Sequence, residues 1–590
     1  MTMQKHRVVQ FGAAFALIAA MAIAAFGATA LARPSASANV TASAKKAVTQ
    51  PQILFKHQVD MSKVPQASAS DLAKASRSLP ALYPAGQKAH QAAQQAKSSS
   101  VAPRGAGLTM SGGSTPSPSS ASVFNIWDGQ KDSAATCPYF GGCQPPDMGI
   151  AANGAGQVMQ SVNTSLAYFN ITGTVQSGWP KTAQAFFGVG NPGACDPNGP
   201  FMSDPRSWYD PYKNRWGQAE LQVEGAFGFN ACPFSTLYWI AISNTSNPNG
   251  TWTVFAINMA FGGDPTAAAD FTQFGFDAEG IFVSANMFNN AGTAYDYAEV
   301  AGCNYPALTA CNGFWNLSVT GPGGTVLIDT VNPSVVPMNA GNGPRGELFA
   351  SSFNSPDPFG NDCVTAACHG VSLWSWVNPG GPNNALNGQF VDTQNYTEPP
   401  AASQPACLGC IDGGDLRFGG TPFYHAGSLY VAHATGWTNG AAQHVVAIQW
   451  FRFRVTQNTS GAITGATDAE DNYLAAGGNT HLSLTYPVMA ADLDGDIIMG
   501  YDYMGSANFP SINVTSKRVS DPDGTWSGGL GHVVVAGTVN TGDSRWGDYE
   551  AMSYNAPYQD NIWFASEYPN PTTGDWNTKV MRLRIATPRA

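Results

Sequence analysis

Gly280-Ile-Phe-Val-Ser-Ala-Asn286 is one of seven similar phrases that recur along this chain and decide its fold. The other six occupy residues 156–162, 214–220, 346–352, 427–433, 495–501 and 561–567. Every phrase opens with Gly or Asn, its third residue is apolar, and its sixth residue is Ser, Ala or Gly. Their first residues are 58, 66, 66, 81, 68 and 66 positions apart. A long repeat with one such phrase per unit is typical of propellers and solenoids.

The sequence around the phrases predicts β-strands, because short alternating segments are bounded by turn residues and almost no run has a helical period. A further strand candidate precedes six phrases, at residues 148–152, 205–209, 271–276, 420–424, 487–491 and 549–554. Three or four strands per unit make a propeller blade. We therefore predict an all-β, seven-bladed β-propeller. A strand near residues 123–127 is expected to pair with the last strand, 579–585, and so close the ring.

The N-terminal part differs from the rest in composition. Lys5 and Arg7 precede an uncharged run, 8–26, and small residues follow at 30–32, so we predict a signal peptide over 1–32, with an uncleaved anchor as the alternative. Residues 33–121 carry ten basic and two acidic residues and no Cys or Trp. This composition predicts a disordered linker or pro-segment. The propeller is then expected over 122–590.

All ten cysteines lie in the predicted propeller, and an even number in an exported chain indicates disulfides. Consecutive pairing closes mostly short loops, and we predict the pairs Cys137–Cys143, Cys195–Cys232, Cys303–Cys311, Cys363–Cys368 and Cys407–Cys410. The last pair has the spacing of a redox motif, but it lacks a βαβ context, which favours a structural bridge.

Several phrases resemble known propellers. Ser246-Asn-Pro-Asn-Gly-Thr-Trp252 and Ser520-Asp-Pro-Asp-Gly-Thr-Trp526 resemble a shortened form of the Asp-box hairpin of sialidase-type propellers, whose role is structural. Arg545-Trp-Gly-Asp-Tyr549 and Cys143-Gln-Pro-Pro-Asp147 resemble phrases of secreted bacterial propeller proteins that are loosely sialidase-like and have no assigned activity. This resemblance covers most of 137–585, with 371–406 looking like an insertion. It implies no catalytic residue.

Charged residues make up only 11% of the chain, so their clustering is informative. Aligning the first strands places four aspartates within one residue of the position where each strand starts. Ring closure is expected to bring them, with four arginines, to one rim of the central channel: Asp147, Asp204, Asp270 and Asp548, with Arg206, Arg345, Arg417 and Arg545. Arginine binds carboxylates and phosphates in a bidentate manner, which predicts a ligand site. Ion pairs that fix the ring are the alternative.

A hydrolytic site is a second interpretation of the same rim. The last position of the repeated phrase is polar in six units and supplies Glu220 and Glu567, which with Asp548 are the catalytic candidates. Paired carboxylates suit glycoside hydrolysis. Four aromatic residues are candidates for stacking on sugars: Trp179, Trp437, Tyr503 and Tyr568.

The sequence indicates neither a metal site nor a cofactor. Asp492, Asp494 and Asp496 alternate as in a calcium loop, but the terminal Glu of such a loop is missing and a hairpin turn is favoured. The chain also lacks G-x-S-x-G, H-E-x-x-H and P-loop motifs, and it has no G-x-G-x-x-G that opens a helix.

The charge balance limits the partners. Residues 122–590 carry 16 basic against 37 acidic residues, which disfavours nucleic acid and anionic membrane surfaces. We predict a secreted monomer, extracellular or periplasmic, that binds an extracellular glycan or protein at the charged rim. The alternatives are a sialidase-like or other glycan-cleaving hydrolase, and a structural adhesion module without a small-molecule site.

Overall fold

The computed structural model describes residues 40–67, 101–105, 121–132, 145–189, 201–223, 237–278, 280–289, 294–306, 308–335, 346–354, 356–542, 544–556 and 561–585. The chain divides into two units, 1–39 and 40–590. The first unit, with the predicted signal peptide, lies outside the described residues. Within the described residues, no helix has both the length and the apolar character needed to cross a bilayer.

Three strands and the first three blades occupy the first part of the described chain. The leading strands are β1 (Thr41–Lys46), β2 (Ile53–Asp60) and β3 (Ala121–Lys131). Blade 1 contains β4 (Gly149–Asn153), β5 (Gln157–Val162), β6 (Ser165–Asn170) and β7 (Lys181–Thr182), followed by the short helix α1 (Ala183–Phe187). Blade 2 contains β8 (Phe201–Asp210), β9 (Arg215–Val223), β10 (Leu237–Ser243) and β11 (Thr251–Asn258). Blade 3 contains β12 (Ala268–Phe276), β13 (Gly280–Phe288), β14 (Tyr295–Asn304), β15 (Cys311–Gly321) and β16 (Gly324–Leu327).

Four more blades follow. Blade 4 contains β17 (Asn332–Pro333), β18 (Glu347–Ser352), β19 (Val371–Val377) and β20 (Ala385–Val391), and a hairpin of β21 (Ala402–Gln404) and β22 (Cys407–Ile411) comes next. Blade 5 contains β23 (Phe423–His425), β24 (Ser428–Thr438), β25 (His444–Gln457) and β26 (Ile463–Leu474). Blade 6 contains β27 (Ser483–Ala491), β28 (Ile497–Gly505), β29 (Asn508–Lys517) and β30 (His532–Val535). Blade 7 contains β31 (Ala551–Ala556), β32 (Ile562–Pro569) and β33 (Trp576–Ile585).

The predicted ring is confirmed. Seven blades surround a central channel, and the repeated phrase forms the second strand of every blade: β5, β9, β13, β18, β24, β28 and β32. Strand β3 completes blade 7 by pairing antiparallel with β33, with Trp127 opposite Val580 and Val123 opposite Leu583. The first strands line the channel, and β31 runs parallel to β4 where blades 7 and 1 meet.

Packing explains the two fixed positions of the phrase. Its third residue is at most 3% exposed in every blade, as expected for a side chain packed between sheets. Its sixth residue must be small because the neighbouring blade lies close. A Cβ atom added to Gly500 would lie 2.3 Å from the ring of Phe564 in the next blade. Both positions are therefore set by packing between blades.

The structure differs from the predicted disordered spacer at two places. Strand β1 pairs antiparallel with β15 on the outer edge of blade 3, and β2 pairs with β11 on the outer edge of blade 2. Polar segments can fold in this way because the blade edge supplies backbone partners and little apolar surface has to be buried. Residues 68–100 and 106–120 of the predicted spacer lie outside the described residues.

The described cysteines pair as predicted. Disulfides join Cys303 to Cys311, Cys363 to Cys368 and Cys407 to Cys410. The other four cysteines lie outside the described residues. The predicted insertion over 371–406 is wrong in its first half, because β19 and β20 are regular strands of blade 4. The additional segment is the connection from 392 to 422.

Candidate functional site: the channel mouth

A cavity of about 210 Å³ opens at the end of the channel where the first strands begin. Its charged lining consists of Asp270, Asp329, Asp412, Asp415, Arg417, Arg545 and Asp548, and we call this cavity the channel mouth. Tyr486 and Phe288 add aromatic surface to its wall. Five carboxylates and two guanidinium groups therefore surround one concave space.

Only some of the eight residues predicted for the rim reach the cavity. Asp270, Arg417, Arg545 and Asp548 line the channel mouth. Asp147, Asp204 and Arg206 are buried beside it and do not contact the cavity. Arg345 lies outside the described residues. Asp270 at the start of β12 and the segments that precede β23 and β31 bring these four side chains to a common space.

Asp147 and Asp204 join neighbouring blades. One oxygen of Asp147 accepts a hydrogen bond from the backbone N–H of Asp548 in blade 7 at 3.0 Å, and the other accepts from Asn163 at 2.8 Å. Asp204 accepts from the backbone N–H of Thr272 in blade 3 at 2.8 Å. Burial raises the pKa of both carboxyl groups. These two aspartates connect neighbouring blades through hydrogen bonds to backbone N–H groups, and not through the Asp–Arg ion pairs of the alternative interpretation.

The two arginines of the channel mouth form ion pairs with its carboxylates. Arg417 pairs with Asp415, and Arg545 pairs with Asp548. Burial opposes ionisation of both arginines, but the adjacent carboxylates outweigh it and raise their pKa values further. Both guanidinium groups therefore stay charged and already have anionic partners.

Two arginines and two aromatic rings stack against one another at the wall of the channel mouth. The guanidinium of Arg417 lies over the ring of Phe271, 4.1 Å from its centroid, and the ring of Phe271 meets that of Tyr549 edge-on at 6.2 Å. Arg206 lies over the ring of Tyr549 at 3.5 Å. Cation–π contacts of this kind stabilise a buried arginine. Arg206 therefore lies behind the cavity wall and packs against its residue Tyr549.

Asp270 has an unusual protonation state. Burial, together with the nearby carboxylates of Asp204 and Asp548, raises its pKa from 3.8 to about 8. This shift favours the protonated form of Asp270 near neutral pH, in the same cavity as the Arg545–Asp548 pair. A protonated carboxyl group can donate a hydrogen bond or a proton.

The sequence did not identify five residues of the lining that matter for the site: Asp329, Asp412, Asp415, Tyr486 and Phe288. Asp329 lies just before the first strand of blade 4, but this strand has only two residues and gives no periodic signal. Asp412 and Asp415 belong to the long connection between blades 4 and 5. The hydroxyl of Tyr486 donates to the backbone carbonyl of Asp412 at 2.9 Å and holds this connection against the ring. A polar run at 412–417 is the signal that could have identified the connection.

Of the three catalytic candidates, only one reaches the cavity. Asp548 faces the cavity, whereas Glu567 and Glu220 are 1% and 0% exposed and lie behind the wall. Burial raises the pKa of Glu220 well above its usual value. Neither glutamate can contact a ligand in the channel mouth in this conformation.

The calcium-like loop and the aromatic candidates lie away from the channel mouth. Asp492 accepts hydrogen bonds from the backbone N–H groups of Asp494 and Asp496, both at 3.0 Å, in the hairpin between β27 and β28. This is the geometry of a tight turn. The predicted exposure of three aromatic residues is wrong, because Trp179, Trp437 and Tyr503 are 1%, 8% and 7% exposed. Tyr568 is half-buried and donates to Asp128 at 3.2 Å.

No family model matches this sequence, and no curated protein matches it. Solved structures of sialidase-like β-propellers resemble the chain at very low sequence identity. The hemagglutinin-neuraminidase of parainfluenza virus 5 is 9% identical, with a TM-score of 0.34 over 65% of this chain and 90% of that chain. A sialidase from Trypanosoma rangeli is also 9% identical, with a TM-score of 0.29 over 71% of this chain and 57% of that chain.

A chain of the mitotic checkpoint complex is similar to this protein at the same low level. It is 10% identical, with a TM-score of 0.34 over 81% of this chain and 99% of that chain. Likenesses this distant carry no argument about activity.

Proposed function

We propose that this protein is an exported glycan-binding propeller whose channel mouth holds the end of a neutral or amino-sugar chain. The excess of carboxylates in the channel mouth carries the proposal: five aspartates face two arginines. Carboxylates accept hydrogen bonds from sugar hydroxyls, and the guanidinium groups and the protonated Asp270 donate them. Tyr486 and Phe288 offer ring surface for the apolar face of a sugar.

The charges disfavour an anionic sugar. Both arginines already pair with aspartates, so an incoming carboxylate would have to displace Asp415 or Asp548. The remaining carboxylates would repel it. The cavity is also smaller than the roughly 300–1,000 Å³ usual for drug-sized ligands, which favours a single sugar unit at the end of a chain.

Export is part of the proposal. Disulfides persist in oxidising compartments, and three are present among the described residues. The signal-like sequence over 1–32 and the resemblance to secreted bacterial propellers agree with this location.

A glycan array probed with the purified chain tests the proposal. We expect binding to neutral or amino-sugar glycans, and at least tenfold weaker binding for Asp548→Asn, which leaves Arg545 without its partner. Asp494→Asn is the matched control, because it removes one exposed carboxylate from a first-to-second-strand hairpin and should not change binding. A preference for sialylated glycans, or equal binding by Asp548→Asn, would contradict the proposal.

Hydrolysis is a second candidate, favoured by Asp270 and Asp548. A glycosidase needs one protonated and one ionised carboxyl group in the same site. Burial raises the pKa of Asp270, whereas Asp548 pairs with the guanidinium group of Arg545. We expect turnover of chromogenic glycosides that falls above pH 8 and is lost in both Asp270→Asn and Asp548→Asn. Absence of turnover across a broad substrate panel would reject this candidate and leave the binding proposal intact.

A further inference from the structure

The segment 545–550 joins the channel mouth to a buried acidic cluster. Arg545 and Asp548 face the cavity, whereas Trp546 points inward and donates its indole N–H to Asp502 at 2.6 Å. Gly547 adopts a φ of 52°, and a Cβ atom there would lie 2.8 Å from a carboxylate oxygen of Glu567. The end of this segment, Glu550, is 1% exposed. The segment therefore lines the cavity with most of its residues and reaches the interior through Trp546 and Glu550.

Three carboxyl groups meet at the junction of blades 6 and 7. Asp502 lies on β28, Glu550 immediately precedes β31, and Glu567 lies on β32. One oxygen from each side chain lies within 4.8 Å of the other two. The three side chains are 0%, 1% and 1% exposed, so bulk water does not screen their charges.

The carboxyl group of Glu550 is buried without a cationic partner in the described part of the chain. Neither of its carboxylate oxygens has a hydrogen-bond donor of ordinary geometry among the described residues, although the backbone N–H of Glu567 lies nearby. The hydroxyl of Ser566, the other close donor, is directed to Asp502 at 3.0 Å. Neither Asp502 nor Glu550 forms an ion pair with a Lys or Arg in the described part of the chain. Burial of such a group is costly unless a cation accompanies it.

We propose that Asp502, Glu550 and Glu567 bind a Ca²⁺ ion between blades 6 and 7. Calcium takes oxygen ligands at about 2.3–2.6 Å, so oxygens bound to one ion lie at most roughly 5 Å apart. The three oxygens of this cluster, all within 4.8 Å of one another, meet that condition. Magnesium needs oxygens at about 2.0–2.1 Å and a stricter geometry, so its binding is weaker here. The sequence indicated no metal site, because the three residues are far apart along the chain and only the ring brings them together.

The ion has a structural consequence for the channel mouth. It joins β28 and β32 to the residue that ends the segment 545–550, and the indole of Trp546 holds the same segment to Asp502. Calcium therefore braces the backbone that carries Arg545 and Asp548. This inference does not depend on the proposed function, because ion binding is measured without any glycan.

Calorimetric titration of the chelator-treated full chain with CaCl₂ tests the site. We expect one ion per chain, a higher Tm with Ca²⁺, and at least tenfold weaker affinity in Glu550→Gln. Without Ca²⁺, Glu550→Gln is expected to be at least as stable as the wild type, because the substitution removes one of three buried carboxyl groups that lie close together. Asp494→Asn is the control and should bind as the wild type does.

Absence of stoichiometric Ca²⁺ binding by the wild-type chain would overturn the proposal and leave three carboxyl groups that share protons. Unchanged affinity in Glu550→Gln would also overturn it, since the ion would then lie elsewhere. If Glu550→Gln does not fold, Glu567→Gln takes its place. In addition, Tb³⁺ luminescence of the wild type, excited through tryptophan, should rise on Tb³⁺ addition and fall with excess CaCl₂. A Tb³⁺ signal that CaCl₂ does not displace would count against the site.

Discussion

Replacing Asp270 by Asn should change how the stability of the protein depends on pH. The pKa of Asp270 rises from 3.8 to about 8 on folding. Between these values the folded protein keeps a proton that the unfolded chain releases, so the contribution of Asp270 to stability falls as pH increases from about 4 to 8 and is constant above that. Asn does not titrate. The variant should therefore gain stability relative to the wild type as pH increases through this window.

The size of this change in stability follows from the shift in the pKa of Asp270. A change from 3.8 to about 8 corresponds to about 6 kcal/mol for a fully buried, isolated group. Asp270 is only half-buried and lines an open cavity, so we expect about half of this, ~3 kcal/mol between pH 4.5 and pH 8.

Denaturant unfolding at pH 4.5, 6 and 8 measures the effect as the difference in unfolding free energy between Asp270→Asn and the wild type. Asp494→Asn serves as the control, because this exposed carboxylate lies in a hairpin away from the cavity lining. An unfolding free energy of Asp270→Asn that does not increase relative to that of the wild type as pH rises would contradict a raised pKa of Asp270.

Two further predictions concern the fold. Gly500→Ala places a methyl group 2.3 Å from the ring of Phe564 and should destabilise the protein by about 1–3 kcal/mol, whereas Gly465→Ala, with its nearest neighbour at 3.8 Å, should have little effect on Tm. Equal Tm values for these two variants would show that the blades tolerate a larger side chain there. Deletion of residues 40–60 uncovers the outer edges of β15 and β11 and should lower Tm and promote self-association, measured by size-exclusion chromatography with light scattering. A monomer with unchanged Tm would mean that β1 and β2 add nothing to stability.

The sequence was most informative where the repeat imposes the same packing on every blade. The second strands, the number of blades and the closure through β3 and β33 follow from a phrase with two fixed positions and from alternation at the two ends. The aligned aspartates also predicted that Asp270 and Asp548 would approach each other. Position in a strand determines which end of the channel a residue reaches.

Features that depend on neighbouring blades or irregular segments were not predictable. The position of a residue did not show that Asp147 points to a backbone N–H while Asp548 points to the cavity, because adjacent blades decide this. Asp412 and Asp415 come from a connection without periodicity. Trp437 and Tyr503 looked available to a ligand but are covered by packing that composition does not reveal.

Hydrogen–deuterium exchange of the full chain, with and without the strongest glycan from the array, tests most directly whether the channel mouth is the ligand site. The account predicts ligand-dependent protection in peptides that contain residues 412–417 and 545–549, with no change in the hairpin at 492–496. Protection confined to that hairpin or to the outer strands of the blades would contradict it.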